Sequence, residues 1–136
     1  MFRLGIFVLA VCLVMPALAA GNLAKRAERL PELVLDAVKG FSITEYRLET
    51  ATYYRWRIAS DGREKYELLA PDLFRNSWID KVSTEDMVVR PVGLDAVELE
   101  DDGEINIWFV PIRPGVYDFY VDGLESQGFI GRFIVE

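Results

Sequence analysis

The chain has 136 residues, enough for one domain and short for two. It is 51% hydrophobic and 12% aromatic, so one core is well supplied, and its 22 Asp and Glu against 15 Lys and Arg give a net charge of −7. That balance argues against nucleic acid, which needs clustered cations, and more weakly against an anionic membrane surface. No histidine occurs anywhere, which removes the usual general base, transition-metal ligand and pH switch together.

The chain opens on a targeting pattern. Met1-Phe2-Arg3 is a short positive start, Leu4 to Met15 is an apolar run, Pro16 breaks it, and Ala17-Leu18-Ala19 fits a small-x-small cleavage site. Residues 1–19 are therefore expected to be a signal peptide of an exported protein, periplasmic or secreted. The run is too short to cross a bilayer as a helix, which takes about 20 residues, so no membrane span is expected once it is removed. The alternative is an anchor that stays uncut. Cys12, the single cysteine, lies in this segment. A cleaved chain would have no disulfide and no thiol, and would hold itself together by burial alone.

Residues 20–31 read as a short lead-in. Asn22 to Leu30 is polar and basic, with Lys25, Arg26 and Arg29, and suits a helical turn ended by Pro31. From residue 32 to 136 the periods are those of strands. Leu33, Leu35 and Ala37 alternate with Val34, Asp36 and Val38, and Gly40 marks a turn. Ile43, Glu45 and Arg47 alternate with Thr44, Tyr46 and Leu48. Tyr54, Trp56 and Ile58 can face a core while Tyr53, Arg55 and Arg57 face out. Asp61-Gly62 signals a hairpin before a strand at Tyr66-Glu67-Leu68-Leu69. Leu73 to Asp80 suits a helical turn carrying Phe74 and Trp78. Strands follow at Met87 to Val89, Ala96 to Glu100, Ile105 to Phe109, Val116 to Val121 and Phe129 to Val135, parted by Pro91, Asp101-Asp102-Gly103 and Pro114-Gly115. Seven or eight short strands at this spacing predict an all-β Greek-key sandwich.

The last thirty residues carry the sharpest pattern. Pro114-Gly115-Val116-Tyr117-Asp118-Phe119-Tyr120-Val121 leads through a loop to Gly128-Phe129-Ile130-Gly131-Arg132-Phe133-Ile134-Val135. This resembles the end of the cupredoxins, the small blue-copper proteins, whose pattern is Pro-Gly-x-Tyr-x-Phe-x-Cys, a loop with His, and Gly-Met-x-Gly. Upstream, Tyr66-Glu67-Leu68 and Pro71-Asp72-Leu73-Phe74 resemble the segment with the first His of that family. The resemblance implies a cupredoxin-type fold over residues 32–136. It also places Val121 at the thiolate position, Leu124 at the second imidazole, Phe129 at the axial ligand and Tyr66 at the first imidazole. A blue-copper centre needs two imidazoles and a thiolate with a weak axial ligand, and these four side chains offer none of them. The resemblance therefore implies a copper site closed by packing and no bound cofactor.

Three other constellations have a functional and a plainer reading. Glu98-Leu99-Glu100-Asp101-Asp102-Gly103-Glu104 could bind a hard cation or could be a charged turn that keeps an edge soluble. Tyr53-Tyr54-Arg55-Trp56-Arg57 could be a protein-binding cluster or a strand with an aromatic inner and a cationic outer face. Phe74 and Trp78, with Leu124 and Phe129, could form an apolar docking rim beside the closed site, in the way cupredoxins use their apolar surface. Without histidine no Ser-His-Asp arrangement is possible. The expected function is a non-enzymatic, exported binding or accessory module without blue-copper electron transfer. The cupredoxin context suggests metal handling or respiratory assembly, with a periplasmic or membrane-attached protein as partner. The alternative is a copper- or iron-handling protein with a ligand set unlike the family's.

Overall fold

The computed structural model describes residues 25–136. The expected signal segment, with Cys12, lies outside the described residues. In chain order the elements are β1 (Glu28–Arg29), β2 (Leu33–Asp36), β3 (Gly40–Phe41), β4 (Glu45–Leu48), β5 (Tyr54–Ser60), β6 (Tyr66–Leu69), α1 (Pro71–Arg75), β7 (Ser77–Ser83), β8 (Val88–Val89), β9 (Ala96–Leu99), β10 (Gly103–Pro111), β11 (Gly115–Val121), a 3-10 turn (Glu125–Gln127) and β12 (Ile130–Val135). They form two facing sheets. The seven-stranded sheet runs β3-β2-β5-β10-β7-β8, with β1 also on β5, and the five-stranded sheet runs β4-β12-β11-β6-β9. β1 and β2 lie end to end, both parallel to β5, and Pro31 sits in the break between them.

Period-2 alternation explains which faces meet. Tyr54, Trp56 and Ile58 of β5 are buried, as are Tyr46 and Leu48 of β4 and Phe133 and Val135 of β12. Most of their neighbours in sequence are charged and point to solvent, so one side of each of these strands forms the core. Trp56 is at the centre, with Phe133, Phe119 and Tyr46 rings at 4.9, 5.6 and 6.1 Å. Gly131 stands opposite Phe119 on the paired strand, and the Phe119 ring occupies the space a side chain at 131 would take.

Three expectations need correction. From Lys25 onward the lead-in is not helical: Glu28 and Leu30 donate backbone N–H bonds to Tyr53 and Arg55, so the sheet begins before residue 32. Asp61-Gly62 bends the chain but makes no hairpin, because β5 and β6 belong to different sheets. Trp78 is not on the helical turn with Phe74. α1 starts at Pro71 in its first turn and stops at Asn76, and Trp78 then pairs with Val110 in β7.

Replacement of Gly131 by Ala tests the packing. Phe119 is fully buried among other rings and has no room to swing away. The expected cost is ~1–3 kcal/mol, the usual range for overpacking. Gly93→Ala, with nothing near its added methyl, is expected to stay within about 0.5 kcal/mol. Urea unfolding of the two variants checks both values.

Candidate functional site

The residues singled out at the copper-ligand positions gather at one end of the sandwich. β11 runs into this end at Val121, β12 leaves it at Ile130, and β6 starts there with Tyr66, since Val121 pairs with Leu68. The loop 122–129 joins β11 to β12. Tyr66 and Phe129 are 1% exposed and Val121 is 5% exposed. The Tyr66 and Phe129 rings stack with centroids 5.2 Å apart, and Phe41 packs edge-on to Phe129 at 5.4 Å. Leu124 is half-buried against the same core.

Backbone bonds fix the loop. Val121 N–H donates to Phe129 O at 3.1 Å, Leu124 N–H donates to Val121 O at 3.0 Å, and Phe41 N–H donates to Gly128 O at 3.0 Å. The last of these ties the loop to the opposite sheet. It requires backbones to touch: a methyl on Gly40 would stand 2.6 Å from Gly128 O. Both glycines have positive φ, 78° and 90°, a region in which L side chains are strained.

The donor set here does not fit a blue-copper centre. Such a centre draws on imidazole and thiolate, whereas Val121, Leu124 and Phe129 are hydrocarbon side chains and the sequence has no histidine. The Tyr66 hydroxyl is the single heteroatom these four side chains provide. It is buried with no hydrogen-bond partner, and burial, with Asp61 second, pushes its pKa up. A phenol held neutral is a poor ligand for a cation.

The turn at 98–104 carries its charge on the surface of the same end. Glu98 and Glu100 both meet Lys65, at 3.0 and 3.4 Å, and Glu104 pairs with Arg57. With Glu85, Asp86, Asp101 and Asp102 they line an open cleft of about 290 Å³. Among the described residues no group of three or more carboxylates is arranged to hold a metal ion.

Comparison with solved structures decides the architecture. A multicopper oxidase from Campylobacter jejuni superposes with a TM-score of 0.58 at 9% identity, over 82% of this chain and 30% of the oxidase. A laccase from Pediococcus acidilactici gives 0.62 at 9% identity, over 85% and 28%. Auracyanin from Roseiflexus castenholzii gives 0.52 at 15% identity, over 77% of this chain and 94% of auracyanin. The chain has a cupredoxin-type fold. It spans about a third of the oxidases and is comparable in extent to auracyanin. The sequence matches no protein-family model and no curated protein.

The expected docking rim does not assemble. Phe74 and Phe129 are core residues, 4% and 1% exposed, and present no surface to a partner. Trp78 is 42% exposed, but it lies near the other end, where Asn76 O accepts N–H bonds from Ile112 and Arg113. Leu124, half-buried, is the part of that set left beside the closed site. Phe41, unremarked in the sequence reading, is the third ring of this end. Its signal was weak because it sits in a two-residue strand after Gly40.

Two consequences can be measured. Phe129→Ala is expected to cost ~3–5 kcal/mol, as for other buried phenylalanines, whereas Tyr66→Phe removes an unpartnered buried hydroxyl and is expected to raise stability by about 1 kcal/mol. Urea unfolding gives both values. Alkaline pH provides the second. Burial pushes Tyr46 up to about 12 and raises Tyr66, Tyr54 and Tyr53 as well. The folded state then keeps protons that the unfolded chain releases near pH ~10. Stability from these groups is complete below that pH and is lost as pH rises through the folded values. The urea midpoint is expected to fall steadily from about pH 10 upward, followed by circular dichroism.

Proposed function

We propose that this chain is a copper-less, cupredoxin-like binding module that acts outside the cytoplasm, in the periplasm or secreted. It is not an enzyme and does not carry electrons on a blue-copper centre. It serves a protein partner that is periplasmic or membrane-attached, in metal handling or respiratory assembly. The observation that carries the reading is the stack of Tyr66 on Phe129. Two rings, with Val121 and Leu124, fill the end of the sandwich where the family resemblance puts copper ligands. Each fully buried Phe or Leu side chain contributes ~1.5–3 kcal/mol, so apolar contact can do the fastening that a metal does in a cupredoxin. The targeting pattern of residues 1–19 supports the compartment.

The experiment rebuilds the ligand set. A quadruple variant, Tyr66→His, Val121→Cys, Leu124→His and Phe129→Met, is expected to bind Cu(II) with the intense visible absorption of a copper–thiolate bond. The native protein, titrated in parallel with Cu(I), Cu(II) and Fe(II) in a calorimeter, is expected to give no tight binding. Tight copper or iron binding by the native protein would contradict the reading. A folded quadruple variant without the absorption would show that these four positions do not converge as a ligand set.

A further inference from the structure

The outer face of the seven-stranded sheet carries a charge arrangement that the fold itself does not explain. Four residues follow one another as direct cross-strand partners: Arg29 of β1, Arg55 of β5, Trp108 of β10 and Lys81 of β7. Direct partners share a face, and the residues that flank Arg55 and Trp108 in sequence, Tyr54, Trp56, Ile107 and Phe109, are all buried. The row therefore looks outward. The Arg55 guanidinium lies 5.2 Å and the Lys81 ammonium 4.6 Å from the Trp108 ring centroid.

Arg29, Arg55 and Lys81 form no ion pair with any carboxylate among the described residues. Nearby carboxylates are engaged elsewhere. Glu32 and Glu104 hold Arg57, and Asp80 accepts hydrogen bonds from Tyr53 Oη and Arg90, both at 2.6 Å. Arg55 Nε donates to Asn106 Oδ1 at 2.9 Å, which satisfies a donor but not a charge. Like charges directly across a sheet are destabilising, and Arg29 and Arg55 are direct partners. Three carboxylates, Glu32, Glu104 and Asp80, stand on this face, and each is bonded to a group other than Arg29, Arg55 or Lys81. A local arrangement that sets like charges side by side and leaves them without a carboxylate partner is a mark of a functional surface.

The face also has the residue types that dominate protein interfaces. Trp108 is half-buried beneath its two cations, and Trp78 and Val110, paired on the next outward row, leave Trp78 42% exposed. Stacking on an indole holds Arg55 and Lys81 in place before a partner arrives, which lowers the ordering cost of binding. Cationic side chains around exposed tryptophan fit carboxylates interleaved with apolar groups.

We infer that the outer face of the seven-stranded sheet, centred on Trp108 between Arg55 and Lys81, docks an acidic segment of a partner protein, whose carboxylates meet Arg29, Arg55 and Lys81 and whose apolar side chains meet Trp108 and Trp78. This deepens the binding-module reading by naming a surface and a partner chemistry, and it uses none of the four closed-site residues. A second copy of the chain fits less well. Its acidic end would have to meet this face head to tail, and each copy carries a net charge of −7, so the copies repel. Nucleic acid is opposed by the same net charge.

The test is fluorescence anisotropy of the protein with a labelled peptide of alternating Glu-Glu-Leu units, beside the same peptide with Gln for Glu. The acidic peptide is expected to bind, to weaken about tenfold between about 50 and about 300 mM salt, and to exceed the Gln peptide by about tenfold. Arg29→Ala alone, at an exposed edge, is expected to weaken binding several-fold, and Arg55→Gln with Lys81→Gln by about tenfold or more, while Lys39→Ala at the acidic end changes nothing. Circular dichroism establishes that each variant is folded. Equal binding of the two peptides, or acidic binding that survives the three cation substitutions, overturns the inference. Concentration-dependent self-association removed by those substitutions assigns the face to a second copy and overturns it, as does tighter binding of inorganic polyphosphate than of the acidic peptide. The rebuilt copper variant reads the other end of the molecule, so failure of one proposal leaves the other standing.

Discussion

Phe129 is gripped by two rings that come from different sheets. Tyr66 begins a strand of the five-stranded sheet, Phe41 ends the short edge strand of the seven-stranded one, and both pack on Phe129 within 5.4 Å. The contact continues inward, because Phe41 stacks on Phe119 at 5.2 Å and Phe119 meets Trp56 and Phe133. One run of aromatic rings thus joins the end of the sandwich to its centre. The loop 122–129 has no other large anchor among its own side chains: Leu124 is half-buried, and the rest of the loop before Phe129 is polar or glycine. Its backbone bonds to Val121 and Phe41 hold because Phe129 is held.

Ring packing joins strands differently from a coordinated metal. A coordinated ion cross-links strands through a few directional bonds; rings do it through area, which is less directional but needs no cofactor. The consequence is a closed end. The rings there, at 6% exposure or less, offer one heteroatom, the buried Tyr66 hydroxyl, and little surface, while Glu98, Glu100 and Glu104 beside them are partnered by Lys65 and Arg57. Cations without a carboxylate partner lie on the broad side, in the row of Arg29, Arg55 and Lys81 about Trp108.

Strands and core were readable because each strand buries alternate residues, so Tyr54, Trp56 and Ile58 declared an inner face and Arg55 and Arg57 an outer one. Turn chemistry was less informative. Asp61-Gly62 says that the chain bends, not which sheet receives the next strand, and here it changes sheets. Trp78 was misplaced because a pair spaced four apart, Phe74 and Trp78, also fits a helix. Asn76 ends the helix, and an irregularity in the β7–β10 register sets Trp78 outward. The Pro-Gly-x-Tyr-x-Phe frame singled out Val121, Leu124 and Phe129, which do gather at one end, but not the ring of Phe41, since local pattern is silent on which distant strand supplies the third side of a packed site. The cation row needs three strand registers at once, and sequence carries none of them.

The central claim is that ring packing, not an ion, fixes the loop at the closed end. Native-state hydrogen exchange of the Val121, Leu124 and Phe129 amides tests it most directly. The account predicts exchange as slow as that of the central strands, unchanged by a metal chelator and sharply faster in Phe129→Ala. Exchange as fast as in exposed loops, or protection that disappears with the chelator, would contradict it.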